Sequence, residues 1–262
     1  MTDSLWPTGY ALIRNLLAPD VIPPLMDRLS TDSTDGAADD SSIDWAAYAA
    51  KRASVVGVAG AAADALGQWL VHPETLARVR TLLYGASELP HCPSCGACAR
   101  ILLINEQFVV KPPVDALGGR GEACTFGWHA DGQYAESVTD DDDDADACRD
   151  TSCPRLAASG AFVSLWIALV EVSEENGSLV LASPLAADTL PPPTLLGSTP
   201  EYEDESLGVR TFVGDAGDAV VLSPDIIHCS TPNYSSCERP VYMVQLGTRS
   251  SPAPNALRVR IG

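Results

Sequence analysis

The sequence predicts a mainly β fold, an antiparallel sandwich or barrel, with helices gathered in its N-terminal third. Three observations carry this expectation. From about residue 99 the chain is a succession of short apolar runs: RILLINEQFVV (100–110), GAFVSLWIALVEV (160–172), GSLVLAS (177–183), VRTFVG (209–214), DAVVLS (218–223) and RPVYMVQLGT (239–248). Gly, Pro and Asp separate them, which is the punctuation of strands and turns. No helical pattern lies between the runs, so a parallel βαβ sheet is excluded in favour of antiparallel pairing. Before residue 99 the apolar residues recur at helical spacing instead.

Taken in order, TGYALIRNLL (8–17) reads as a short strand entering a turn, and APDVIPPLM (18–26) opens a helix with Leu25, Met26 and Leu29 on one face. The polar stretch TDSTDGAADDSSI (31–43) reads as a loop. Residues 45–70 are Ala-rich with helical periodicity, and PETLARVRTLLY (73–84) is a helix with Pro73 near its start. At 262 residues the chain suits one all-β domain: 1–98 as mainly helical support with one N-terminal strand, 99–250 as the β core. No internal repeat is present. The acidic run TDDDDDADACRD (139–150), with its flank to residue 155, reads as a solvated loop insertion; a lid or a weak cation site is the alternative.

Hydrophobic residues make up 46% of the chain, enough for a sizeable core. The net charge of −19 repels phosphate backbones and anionic lipids, so neither nucleic acid nor a membrane is expected as a partner. A locally basic pocket for an anionic small molecule remains compatible with that surface. No run of about 18 apolar residues occurs, the start MTDSLWPTGY lacks a secretory pattern, and the end RVRIG is not a peroxisomal signal. A cytoplasmic protein with its eight cysteines reduced is the expectation.

Two of the four histidines stand in chemically pointed contexts. In GWHADGQY (127–134), His129 and Asp131 are two apart, and on a strand residues i and i+2 share a face. In SPDIIHCSTPNYSSCERP (223–240), His228 follows a strand, a Ser-Pro turn and an apolar pair. His-x-Asp plus a distant His is the donor set of a two-His-one-carboxylate facial triad, which leaves three positions of an octahedral ion open. Arg239 begins the next apolar strand. A buried guanidinium there is costly without a carboxylate, and its fork suits a bidentate one; otherwise Arg239 merely caps a strand end.

These segments together resemble the phytanoyl-CoA dioxygenase (PhyH-like) family of Fe(II)/2-oxoglutarate oxygenases. The resemblance runs through TGYALIRNLL, NEQFVVKPP followed by GWHADGQY, LWIALVEVSEENGSLVLASP and HCSTPNYSSCERP. It implies a double-stranded β-helix, the jelly-roll or cupin-like barrel, buttressed by helices. It also implies Fe(II) held by His129, Asp131 and His228, and 2-oxoglutarate anchored by Arg239 with Ser230 assisting. Lys111 matches a position that helps bind the cosubstrate, and Trp166 is placed in or beside the pocket. Hydroxylation of a small molecule, with release of succinate and carbon dioxide, is the activity implied. The same chemistry on a protein residue, or a catalytically silent binding domain, are the competing readings.

Two departures bear on the substrate mouth. Where the family often carries Pro-Gly-Ser-His, this chain reads Ala182-Ser183-Pro184-Leu185, and the acidic insertion follows the metal motif. The carboxylate that halogenating relatives lack is intact as Asp131, which favours hydroxylation. No basic patch for the phosphates of an acyl-CoA is evident. Separately, HCPSCGACA (91–99) spaces Cys92, Cys95 and Cys98 so that they could hold zinc, with His91, Cys148 or Cys153 as a fourth ligand; a loop of reduced thiols is the plainer reading. Cys229 and Cys237 read as packing residues.

Overall fold

The computed structural model describes residues 9–32, most of 72–79, 101–117, 126–134, 162–182, 209–247 and 259–260. The expected helix over 45–70, the Cys92–Cys98 cluster with His91, Cys148 and Cys153, the acidic insertion and Ser183–Leu185 lie outside them. The strands are β1 (Tyr10–Ile13), β2 (Leu102–Lys111), β3 (Phe126–His129), β4 (Phe162–Ala168), β5 (Leu179–Leu181), β6 (Arg210–Thr211), β7 (Ala219–Leu222), β8 (His228–Ser230), β9 (Arg239–Gly247) and β10 (Val259–Arg260). They form a six-stranded sheet in the order β1-β7-β4-β9-β2-β10 and a four-stranded sheet in the order β3-β8-β5-β6. From β3 onward the chain passes repeatedly from one sheet to the other, which is the double-stranded β-helix, and the resolved pairings are antiparallel.

The strands are shorter than the apolar runs that announce them. Within the run at 160–172, Phe162–Ala168 pairs as a strand; a bend follows, and Val172 makes an isolated bridge to Gly214. Of 209–214, Arg210–Thr211 forms a strand and Gly214 makes that bridge. β3 and β8 were not announced by any apolar run, and both carry site residues. Near the N-terminus, β1 ends in a turn at Asn15, whose φ of 50° suits an Asn side chain. The helix α1 spans Ile22–Asp32, with two prolines in its first turn where no amide donor is needed. It therefore extends into the polar stretch expected to be loop. Residues 73–75, 77 and 79 are helical as expected; the His72 ring accepts the Glu74 amide at 3.3 Å and caps that start.

The described residues fall into two compact units interleaved along the chain, one within 1–54, 107–133 and 165–243, the other within 55–106, 134–164 and 244–262. In the first, β4, β7 and β9 of the larger sheet supply Trp166, Ala168, Val220, Leu222 and Val241 to one buried cluster. The smaller sheet and its flanks supply Leu179, Leu181, Phe212 and Ile226 to the same cluster. The inner faces of the two sheets thus share a core, as facing sheets do. In the second unit, Val259 and Arg260 pair with Leu103 and Leu102, and buried Gln245 donates from Nε2 to Ser164 Oγ at 3.0 Å.

Candidate functional site

Strands β3 and β8 bring the two histidines together. His129 lies directly opposite His228 in the ladder, with a register shift between Phe126 and His129. Their rings stand 4.2 Å apart, centroid to centroid, at 54°. Each Nδ1 bonds the carbonyl two residues earlier, His129 to Gly127 O at 2.8 Å and His228 to Ile226 O at 3.1 Å. With Nδ1–H donating to a carbonyl, the lone pair sits on Nε2, the arrangement that prepares an imidazole for a metal.

The route of Asp131 to the site differs from the expectation. Strand β3 ends at His129, and Asp131 opens a 3-10 turn over Asp131–Tyr134. The carboxylate is therefore brought round by a helical turn, not held on the same face of one strand. Its Oδ1 lies 3.8 Å from His228 Nε2, and donor atoms of His129, Asp131 and His228 all fall within 4.8 Å of one another. Cis ligands at about 2.1 Å from an octahedral ion stand about 3 Å apart, so ligation would draw this set together. Burial, then the neighbouring His228, pulls the His129 pKa down to about 4, against the Gly127 carbonyl and the Asp131 charge. His129 is consequently neutral at physiological pH, as a ligand must be.

Arg239, the first residue of β9, is 1% exposed. Its Nε and Nη1 have no hydrogen-bond partner among the described residues. The Trp166 ring faces it, 5.0 Å from the guanidinium carbon. Burial pulls its pKa down to about 9. A buried guanidinium with two donors unpartnered among the described residues has the chemistry that a carboxylate ligand would satisfy.

The third group is Lys111 with Ser230. Lys111 ends β2 and is buried; its Nζ donates to Ser230 Oγ at 2.7 Å and to the Thr231 carbonyl. It also lies 5.9 Å from the centre of the Phe126 ring. Ser230 Oγ accepts the Phe126 amide as well, at 3.4 Å. Two donors occupy its two lone pairs, so the hydroxyl proton is what Ser230 can still offer, and it suits an anionic oxygen. His228 and Ser230 share one face of β8. Cys229 points the other way, packed with Trp128, Val180 and Ala182. Burial pushes the Cys229 thiol up to about 12, so it is an inert packing residue as expected. Cys237 is exposed, and the packing role expected of it does not hold.

Two residues that sequence reasoning missed hold this arrangement. Asn233, in the segment that joins β8 to β9, is fully buried; its Nδ2 donates to the carbonyls of Lys111 at 2.9 Å and Cys237 at 2.8 Å. Its Oδ1 accepts the Ser235 amide, an Asx turn whose sequence signal is the Asn-Tyr-Ser of 233–235. Gly177 has φ of +94°, and a Cβ there would stand 2.5 Å from Lys111 Cδ. The glycine of the Glu-Asn-Gly turn is thus the floor on which the lysine stem lies.

The family described as Phytanoyl-CoA dioxygenase (PhyH) matches residues 7–241. No match is found among curated proteins. Among solved structures, the chain is similar to the non-haem α-ketoglutarate-dependent epimerase SnoN from nogalamycin biosynthesis, at 15% identity and a TM-score of 0.57, covering 96% of this chain and 84% of that one. It is similar to the carbocyclase SnoK from the same biosynthesis, at 14% identity and a TM-score of 0.56, covering 96% and 85%. It is also similar to EctD from S. alaskensis, with 2-oxoglutarate and 5-hydroxyectoine, at 17% identity and a TM-score of 0.56, covering 95% and 75%. At these identities the structural likeness speaks for the fold.

Proposed function

Because the chain belongs to the phytanoyl-CoA dioxygenase (PhyH) family of Fe(II)/2-oxoglutarate-dependent oxygenases, we propose that His129, Asp131 and His228 hold Fe(II) while Arg239 and Ser230 anchor 2-oxoglutarate, for hydroxylation of a small molecule. The observation that carries this reading is the buried guanidinium of Arg239 with two idle donors, in the same unit as the three clustered ligands.

When bound, iron and 2-oxoglutarate supply dioxygen activation, with release of succinate and carbon dioxide. The chain's own residues supply binding, orientation and dryness. His129 and His228 present Nε2 because their Nδ1 protons are committed to carbonyls. Arg239 receives the far carboxylate of the cosubstrate on its fork, and Trp166 covers the guanidinium and keeps water from it. Ser230 donates its hydroxyl proton, while Lys111 fills a Ser230 lone pair and adds positive charge beside it. No separate general base is required of the protein.

A small-molecule substrate is supported by the company the fold keeps. SnoN is described in complex with Fe3+, α-ketoglutarate and nogalamycin RO, and EctD with 5-hydroxyectoine. The intact carboxylate of Asp131 supports hydroxylation over halogenation, by the family pattern. No helix among the described residues is long and apolar enough to cross a membrane. The test is Fe(II)-dependent succinate release from 2-oxoglutarate in air, screened over a metabolite panel with products weighed. Decarboxylation stimulated by one compound, which gains one oxygen, and abolished in Asp131→Ala is expected. Succinate formation that Asp131→Ala leaves unchanged would overturn the assignment.

A further inference from the structure

The three ligands do not explain their own placement. Asp131 lies outside the β3–β8 ladder, on a turn joined to β3 by a single residue, yet its carboxylate must meet two histidines fixed by that ladder. What holds it is its neighbour. The Gly132 amide donates to the Pro224 carbonyl at 2.8 Å. A Cβ on Gly132 would stand 2.9 Å from that same carbonyl oxygen and 3.2 Å from the Pro224 Cβ. The two backbones approach as closely as a residue without a side chain allows.

Pro224 belongs to the turn that leads into His228. Within it the Ile226 amide donates to Ser223 O at 3.3 Å, and Ile226 O is the carbonyl that fixes the His228 ring. One turn therefore grips two ligands: His228 through Ile226 O, and Asp131 through the amide next to it. The turn itself cannot yield. Ile226 is 1% exposed and sits in the buried cluster shared by the sheets. The Ser223 amide donates to Gly9 O at 2.8 Å, and a Cβ on Gly9 would meet both Ile226 and Ser223 at 3.3 Å. Pressure between Gly132 and Pro224 must then be relieved by movement of the Asp131 turn.

We infer that Gly132 is a positioning residue: its close contact with the Ser223–Ile226 turn sets the separation of Asp131 from His228 and so the affinity of the site for a divalent metal. The inference rests on the metal-site reading proposed above, and the experiment separates the two. Fe(II) affinity is measured anaerobically for the full chain, together with the visible spectrum of the Co(II)-loaded protein, which reports coordination geometry. Gly132→Ala is expected to weaken Fe(II) binding about 10- to 100-fold, the scale typical of groups that orient ligands, and to alter the Co(II) spectrum.

The control is Gly217→Ala. Gly217 packs against Leu17 and Ile22, with φ of +94° and Leu17 O only 2.6 Å from its missing Cβ. It should lower thermal stability without changing metal affinity or the Co(II) spectrum. Hydrogen exchange of the wild-type Gly132 amide adds a readout that needs no variant: it should be slow, and slower still with Co(II) bound. A wild type that takes no Fe(II) overturns the metal-site reading itself. A wild type that binds Fe(II) while Gly132→Ala binds it equally, or while the Gly132 amide exchanges at one rate with and without Co(II), overturns the inference alone.

Discussion

Replacing Arg239 by Met should stabilise the protein without cosubstrate and abolish its response to 2-oxoglutarate. The two effects have one cause. Burial brings the Arg239 pKa from 12.5 to about 9; at about 1.4 kcal/mol per pKa unit that represents roughly 5 kcal/mol of uncompensated desolvation. Met fills similar volume with no charge. Apolar replacement of buried charge commonly returns about 1–4 kcal/mol, and loss of the Trp166 contact, seen at 5.0 Å, takes back up to about 2 kcal/mol. The midpoints of these two terms leave a net gain of about 1.5 kcal/mol, which raises Tm by about 3–6 °C in a chain of this size. Conversely, losing a desolvated carboxylate–guanidinium pair costs about 2–5 kcal/mol of binding, or about 30- to 3,000-fold in Kd. Thermal melts of the metal-loaded protein, with and without 2-oxoglutarate, read both. If Arg239→Met melts below the wild type and still gains stability from 2-oxoglutarate, the guanidinium is not an idle anion receptor and the reasoning fails.

Gly177→Ala should cost about 1–3 kcal/mol in urea unfolding, from the left-handed backbone alone. It should also raise KM for 2-oxoglutarate, because the added Cβ meets the Lys111 stem at 2.5 Å; an unchanged KM would detach Lys111 from the cosubstrate. Asp218→Asn tests the junction where Asp218 bonds Arg14 and Asn15. Burial raises the Asp218 pKa, but the Asn15 amide, the Arg14 side chain and the Asp215 amide outweigh it and hold the carboxyl below its ordinary value. Its contribution is therefore present at neutral pH, above the unfolded-state pKa, and is lost as pH falls through the depressed folded-state value. Urea midpoints should be lower for Asp218→Asn at neutral pH and converge with the wild type in acid; a constant difference across pH would contradict this.

Much of the site was legible because its chemistry resides in residue types. A guanidinium at a strand start and a His-x-Asp with a distant His are visible as letters, and Arg239 is buried, with two donors unpartnered among the described residues. β4 and β7 of the larger sheet were legible because they are buried along their whole length and are apolar but for Ser164. What was not legible depends on backbone approach. β8 has three residues and mixes His, Cys and Ser, so no periodicity marks it. The turn that carries Asp131 interrupts the strand geometry that His-x-Asp suggests, and Gly132 is informative only once Pro224 lies against it. Asn233 is one polar residue in a polar segment until its bonds to Lys111 O and Cys237 O show it to be the post of the loop.

Anaerobic titration of the purified protein with Fe(II) and then 2-oxoglutarate tests the central claim most directly. A weak visible charge-transfer band should appear only when both are present, saturate at one of each per chain, and vanish in His129→Ala. Absence of the band from the wild type, or its persistence in His129→Ala, would contradict the assignment of His129, Asp131 and His228 as the metal centre.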